Sequence, residues 1–145
     1  MIDLSIITIN YNGLTLTIDL LESIRRNLAG LNYECLVLDN GSDKNEAIPL
    51  QKAFPEYIVL RSDTNLGFAG GNNVCLKQAK GRYFYLINND TLLTDKSVKN
   101  LIDYLDVHPA IGGCSPKIYF EHPSGWLQFA GFTAMSTLTL RNKSI

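Results

Sequence analysis

Short apolar runs of β-forming residues alternate with helix-periodic stretches along this chain, and that alternation constrains the fold more than any other feature. LSIITI (residues 4–9), ECLVL (34–38), the run at 57–61 and YFYLI (83–87) have the length of strands. Their nearly continuous apolar character is that of parallel strands covered on both faces. Between them, Leu14, Ile18, Leu21 and Leu28 fall on one face of a helix expected over about residues 15–28, with Gly30 as its stop. A short helix is expected near residues 46–53, with Pro49 tolerated in its first turn. A glycine- and asparagine-rich loop at 62–73 should open another helix, ended by Gly81. Val98, Leu101, Ile102 and Leu105 mark a fourth helix, capped by Thr94 or Asp95. Residues 111–120 and 127–133 read as further extended segments. Strand followed by helix four times over predicts an α/β fold: a Rossmann-like, mostly parallel sheet with helices on both faces and right-handed crossovers.

Composition fits one globular domain and narrows the partners. The 145 residues are 46% hydrophobic and 19% charged, with a formal net charge of −1. No global basic field recommends nucleic acid or an anionic membrane surface, and aromatics do not interleave with Lys and Arg. No apolar run approaches the roughly 20 residues of a membrane span, and no signal peptide is read at the start, where Asp3 interrupts the apolar residues. Cys35, Cys75 and Cys114 lack metal-ligand spacing and are expected as small core residues. Their odd number suits a reducing cytosol.

In sheets of this kind ligands bind outside the carboxyl ends of the strands. Three strands end in polar clusters, at residues 10–12, 39–43 and 88–90, which should therefore converge on one crevice. Asp90 follows a strand read as buried, so its carboxylate either holds a cation or caps a turn through Thr91 or nearby amides. A hard cation such as Mg²⁺ or Mn²⁺ needs few protein ligands when phosphates and water supply the rest. Asp39 can accept from a base N–H or a ribose hydroxyl, or act as an Asx-turn acceptor. Gly67, Gly70 and Gly71 allow close backbone approach before a helix N-terminus, which attracts phosphate. Their spacing is neither the dinucleotide fingerprint nor a P-loop. His108, His122 and Lys117 have no context that favours catalysis over an ordinary surface role.

The stretches SIITINYNG, LVLDNGSD, NLGFAGGNN and YFYLINNDT, in that order, with PKIYF and QFAGF after them, resemble the inverting glycosyltransferases of family 2. The similarity is greatest to their bacterial rhamnosyltransferase-like branch. It implies the GT-A (nucleotide-diphospho-sugar transferase) fold, with residues 1–145 as the N-terminal nucleotide-sugar-binding part. It also implies a hexosyltransferase that moves a sugar from a UDP- or dTDP-linked donor to a glycan or lipid-linked acceptor in cell-surface polysaccharide assembly. The expected location is the cytoplasm, including the inner face of the membrane.

By the same resemblance, Thr8 and Asn10 line the nucleotide pocket and Asp39 takes the pyrimidine base. Asn65, Gly67 and Asn72 shape the base and ribose side, and Asn89 joins the nucleotide-binding set. Asp90 matches the last acid of the D-x-D motif and binds Mg²⁺ or Mn²⁺; Asn88 and Asn89 stand before it, leaving a single carboxylate. The family's general base lies beyond the corresponding region. The later acids, Asp95, Asp103, Asp106 and Glu121, have no supporting context, so the catalytic residue stays unassigned and a truncated, donor-binding fragment is expected. Two other readings are kept: a sugar-phosphate nucleotidyltransferase, although NYNGLTL lacks its basic Gly-rich loop, and a non-catalytic nucleotide-binding module.

Overall fold

The computed structural model describes residues 1–131, which fall into two units, one over Met1–Lys96 and a second beginning at Ser97. The first unit is built on β1 (Leu4–Asn10), α1 (Leu14–Asn27), β2 (Tyr33–Asn40), α2 (Ala47–Ala53), β3 (Ile58–Ser62), α3 (Gly67–Leu76) and β4 (Tyr83–Leu86). All strand pairs are parallel, in the order β3-β2-β1-β4. The chain moves outward from β1 to β3 and then returns to the other side of β1. The strand order therefore reverses between β1 and β4, where open α/β sheets place their ligands.

Strand alternation sorts the core into two layers. Ile7 packs with Leu36, Leu38 and Cys75, and Ile9, Leu60 and Val74 flank them. This is the face that carries α3. Gly71 lets that helix settle, since a Cβ there would stand 3.3 Å from both Ile9 and Leu38 side-chain carbons. On the opposite face Asn10 meets Thr17 of α1, and Arg25 of α1 lies over the Phe54 ring at the end of α2. Leu20, Leu21, Ile24, Leu50 and Phe54 are buried there, each contributing about 1.5–3 kcal/mol of hydrophobic stabilisation. Behind β4, Gly81 passes so close to β1 that a Cβ would lie 2.3 Å from the Ser5 nitrogen.

The parallel α/β architecture agrees with the sequence expectation, and several details differ. YFYLI is not covered on both faces. Among the described residues β4 is an outer strand, and Phe84 and Leu86 are 51% and 46% exposed. An apolar run shows that a segment is extended, but not how many neighbours it has. Helix α3 starts at Gly67, inside the stretch expected to be loop, and stops at Leu76. Its glycines serve helix–sheet packing as well as the turn.

In the second unit, α4 (Ser97–Val107) buries Val98 and Ile102 and carries a Lys99–Asp103 ion pair one turn apart. Its end is closed by His108, whose Nδ1 lies 2.8 Å from the Tyr104 carbonyl oxygen. The extended segments contract to an antiparallel pair, β5 (Ile118–Tyr119) and β6 (Leu127–Phe129). Residues 132 and 133 of the expected last strand lie outside the described residues. Cys35 and Cys75 are core residues, whereas Cys114 is exposed in the irregular segment before β5. Gly112, Gly113 and Pro116 around it disfavour a regular, packed element.

Candidate functional site

An open crevice of about 390 Å³ lies at the carboxyl ends of β1, β2 and β4. Ile9 and Tyr11 line it from β1 and Asn40 from β2; Asn65, Gly67 and Phe68 come from the loop into α3, and residues 87–90 from the end of β4. The polar strand ends therefore do meet, because three parallel strands terminate at one edge of the sheet.

Of the residues expected from sequence, Asn65, Gly67, Asn89 and Asp90 line this crevice. The Asp90 side chain is exposed and has no hydrogen bond or ion pair among the described residues. Its turn is closed from below, where the Thr91 N–H and hydroxyl both donate to the Asn88 carbonyl. Asn65 Oδ1 accepts from Asn40 Nδ2 at 3.1 Å and from the Gly67 N–H at 2.8 Å. Asn40 Oδ1 accepts in turn from the Leu66 N–H at 3.0 Å. These reciprocal bonds bind the loop to the end of β2, and Gly67 takes φ +70 to complete it.

Thr8, Asn10, Asp39 and Asn72 sit behind the wall instead. Thr8 and Asn10 have no exposed surface, and Thr8 Oγ1 has no hydrogen-bond partner among the described residues. Asn72 Nδ2 turns back to the Phe68 carbonyl at 2.8 Å. Asp39 is fully buried: Oδ1 accepts from the Ser42 N–H at 3.2 Å, and Oδ2 from the Glu46 and Ala47 N–H groups at 3.0 and 3.2 Å. This is the Asx-turn arrangement, extended to the first N–H groups of α2. Arg61 of β3 completes it by pairing with Oδ2 and donating to the Ser42 carbonyl. Burial alone would raise the Asp39 carboxyl, but the hydrogen bonds from Ser42 and Arg61 outweigh it and hold the group below its ordinary value. The Asp39 carboxylate has no exposed surface, while the Arg61 side chain paired with it is 28% exposed.

Tyr11, Asn40 and Phe68 line the crevice although sequence reasoning did not select them as site residues. Each lay within a stretch already read as polar turn or glycine-rich loop, where type alone does not separate a wall residue from a turn former. The usable signal was that Tyr11 and Phe68 are large aromatics in otherwise polar loops. They are 49% and 65% exposed.

Residues 5–143 match the family described as "Glycosyl transferase family 2". The chain belongs to that family. The minor teichoic acid biosynthesis protein GgaB of Bacillus subtilis is 31% identical to this family-2 chain over 110 residues, 73% of this chain and 12% of GgaB. Among solved structures, S. aureus TarS in complex with UDP-GlcNAc superposes with a TM-score of 0.66 at 22% identity, covering 83% of this chain and 39% of that one. The mannosyltransferase PcManGT from Pyrobaculum calidifontis, in complex with GDP-Man and Mn²⁺, gives 0.64 at 19% identity, covering 70% and 32%. The likeness to these structures establishes the GT-A fold. The family-2 chain spans well under half the length of each of these proteins.

Proposed function

We propose that residues 1–145 are the nucleotide-sugar-binding part of a GT-A glycosyltransferase that transfers a hexosyl group from a UDP- or dTDP-linked donor, with inversion, to a glycan or lipid-linked acceptor. The observation that carries this reading is the pairing, in one crevice, of the Asp90 carboxylate, without a partner among the described residues, with the N-terminus of α3 at Gly67 and Phe68. A carboxylate attracts a hard divalent cation and a helix N-terminus attracts phosphate, so a metal–diphosphate group satisfies both.

The residues present fit a cation shared with a substrate. Among the described residues no group of three His, Cys, Asp or Glu side chains forms a protein cage, so Asp90 would hold Mg²⁺ or Mn²⁺ together with phosphate oxygens and water. When bound there, the ion stabilises the negative charge that gathers on the departing nucleoside diphosphate. Tyr11 and Phe68 offer exposed ring surface to a base or sugar, and Asn65, Gly67 and Asn89 supply polar groups along the wall. Asn10, Asp39 and Asn72 act from behind it, by fixing the loops. The relatives support the donor class, since TarS and PcManGT carry UDP-GlcNAc and GDP-Man in their structures. The teichoic acid role named for GgaB supports cell-surface polysaccharide as the product class, within which rhamnosyl transfer is one member. The proposed place of action is the cytoplasm or the inner face of the membrane. No helix among the described residues is long and apolar enough to cross it.

Calorimetric titration with UDP and dTDP, with and without Mn²⁺, tests the proposal. The expected result is nucleotide binding strengthened by Mn²⁺ in the wild type, with the strengthening absent in Asp90→Ala and the fold intact. Absence of nucleotide binding to the wild type in both conditions overturns it.

A further inference from the structure

A single line of polar side chains runs from Asn89, beyond β4, through Thr17 of α1 and Asn10 at the end of β1 to Glu46 before α2. Asn89 Nδ2 donates to Thr17 Oγ1 at 3.1 Å, Thr17 Oγ1 donates to Asn10 Oδ1 at 2.8 Å, and Asn10 Nδ2 donates to Glu46 Oε2 at 2.8 Å. The direction of every bond follows from the last one. The Glu46 carboxylate accepts, so Asn10 must give it the amide nitrogen and offer its oxygen to Thr17. Thr17 has one hydroxyl proton, which goes to Asn10, and its lone pair is left for an N–H from Asn89. The Asn89 amide nitrogen is therefore held toward α1, and its oxygen cannot exchange places with it.

Gly13 shapes the same spot independently. A Cβ on Gly13 would stand 2.8 Å from Asn89 Nδ2, so the bare glycine at the start of α1 leaves the space that this amide occupies. The φ of Gly13 is −132, a value open to any residue, so space rather than backbone conformation makes the glycine matter. Asn89 directly precedes Asp90, whose own side chain has no partner among the described residues. The position of that carboxylate is thus set by the turn that carries it, and the turn is tied to the body of the domain through Asn89.

We propose that Thr17, outside the crevice and fully buried, is a positioning residue for Asp90 that acts through the Asn89 amide; this rests on the donor-site reading above. A carboxylate held in place loses less freedom when the metal and diphosphate arrive, so Thr17 raises the Mn²⁺-dependent part of nucleotide affinity. Loss of one such tie corresponds to about a fivefold change in that part.

The test measures UDP affinity with and without Mn²⁺ by calorimetry for the wild type, Thr17→Val, Thr17→Ser, Gly13→Ala and Asp90→Ala, with thermal melting to check folding. Thr17→Val keeps the shape and removes the hydroxyl; Gly13→Ala displaces Asn89 without removing a hydrogen-bonding group. Both are expected to reduce the Mn²⁺ gain, the ratio of affinities with and without the metal, about fivefold, while Thr17→Ser restores it. If both variants keep the wild-type gain while Asp90→Ala abolishes it, the positioning role is overturned and the donor-site reading stands. An equal loss with and without Mn²⁺ also overturns it, as the mark of a merely structural residue. If Thr17→Val does not fold, Gly13→Ala decides alone. If the wild type itself shows no Mn²⁺ gain, the metal role of Asp90 fails, and the inference falls with it.

Discussion

Gly41 and Thr64 are in such close backbone contact that a Cβ on Gly41 would lie 2.5 Å from the Thr64 carbonyl carbon. Gly41 ends the β2 strand turn at φ +80, and Thr64 begins the loop that carries Asn65 and Gly67 into the crevice. This contact, with the reciprocal Asn40–Asn65 bonds, sets one wall of the site. Gly41→Ala meets both an unfavourable backbone conformation and rigid backbone atoms. It should lower stability by about 2–3 kcal/mol, seen as a reduced urea midpoint. Nucleotide affinity should fall with it in the fraction that stays folded. A wild-type midpoint for this variant would show that the loop can move aside freely.

The Asp39–Arg61 pair predicts a definite acid limb for stability. The folded-state value of the Asp39 carboxyl is lower than the unfolded one, so its stabilisation is complete above the unfolded value, about 3.9. It is lost as pH falls through the lowered folded value. Asp39→Asn should cost about 2 kcal/mol at pH 7, since it removes a buried acceptor of charge-assisted bonds. The difference from wild type should shrink as pH falls below 4 in denaturant titrations. A constant difference across that range would show that the charge of Asp39 adds nothing.

The three cysteines should separate cleanly by reactivity. Burial drives the Cys35 thiol far above its usual value and raises Cys75 to about 11, while Cys114 is exposed. The thiolate is the reactive form, so only Cys114 should be alkylated by iodoacetamide at pH 8 in the folded protein. Mass spectrometry of the peptides checks this, and all three should react in urea. Rapid native labelling of Cys75 would contradict the packing of α3 on the sheet.

The parallel sheet was legible because its signal is local. Four apolar runs of strand length, separated by helix-spaced leucines and isoleucines, admit few arrangements, and parallel strands bring their carboxyl ends to one edge. That put Asn89 and Asp90 near a shared crevice, while Asn65 and Gly67 were expected there from the family resemblance. Cys114 shows the limit of the same reasoning, since a small apolar residue reads as core wherever it stands, yet the glycines beside it leave it exposed.

What sequence determined here was the set of segments, their order and the edge at which chemistry could gather. Tertiary structure decided which polar residue faces the ligand and which faces the frame. Asp39, next to last in β2, and Asp90, beyond the end of β4, are both acids at the same edge of one sheet. Asp39 is closed in by three backbone N–H groups and Arg61, because α2 begins against it and β3 lies alongside. Asp90 follows the outer strand, where no such donors approach among the described residues, and it lines the crevice with its side chain exposed. The difference lies in what the rest of the chain brings within hydrogen-bonding distance, and that is a property of three-dimensional packing.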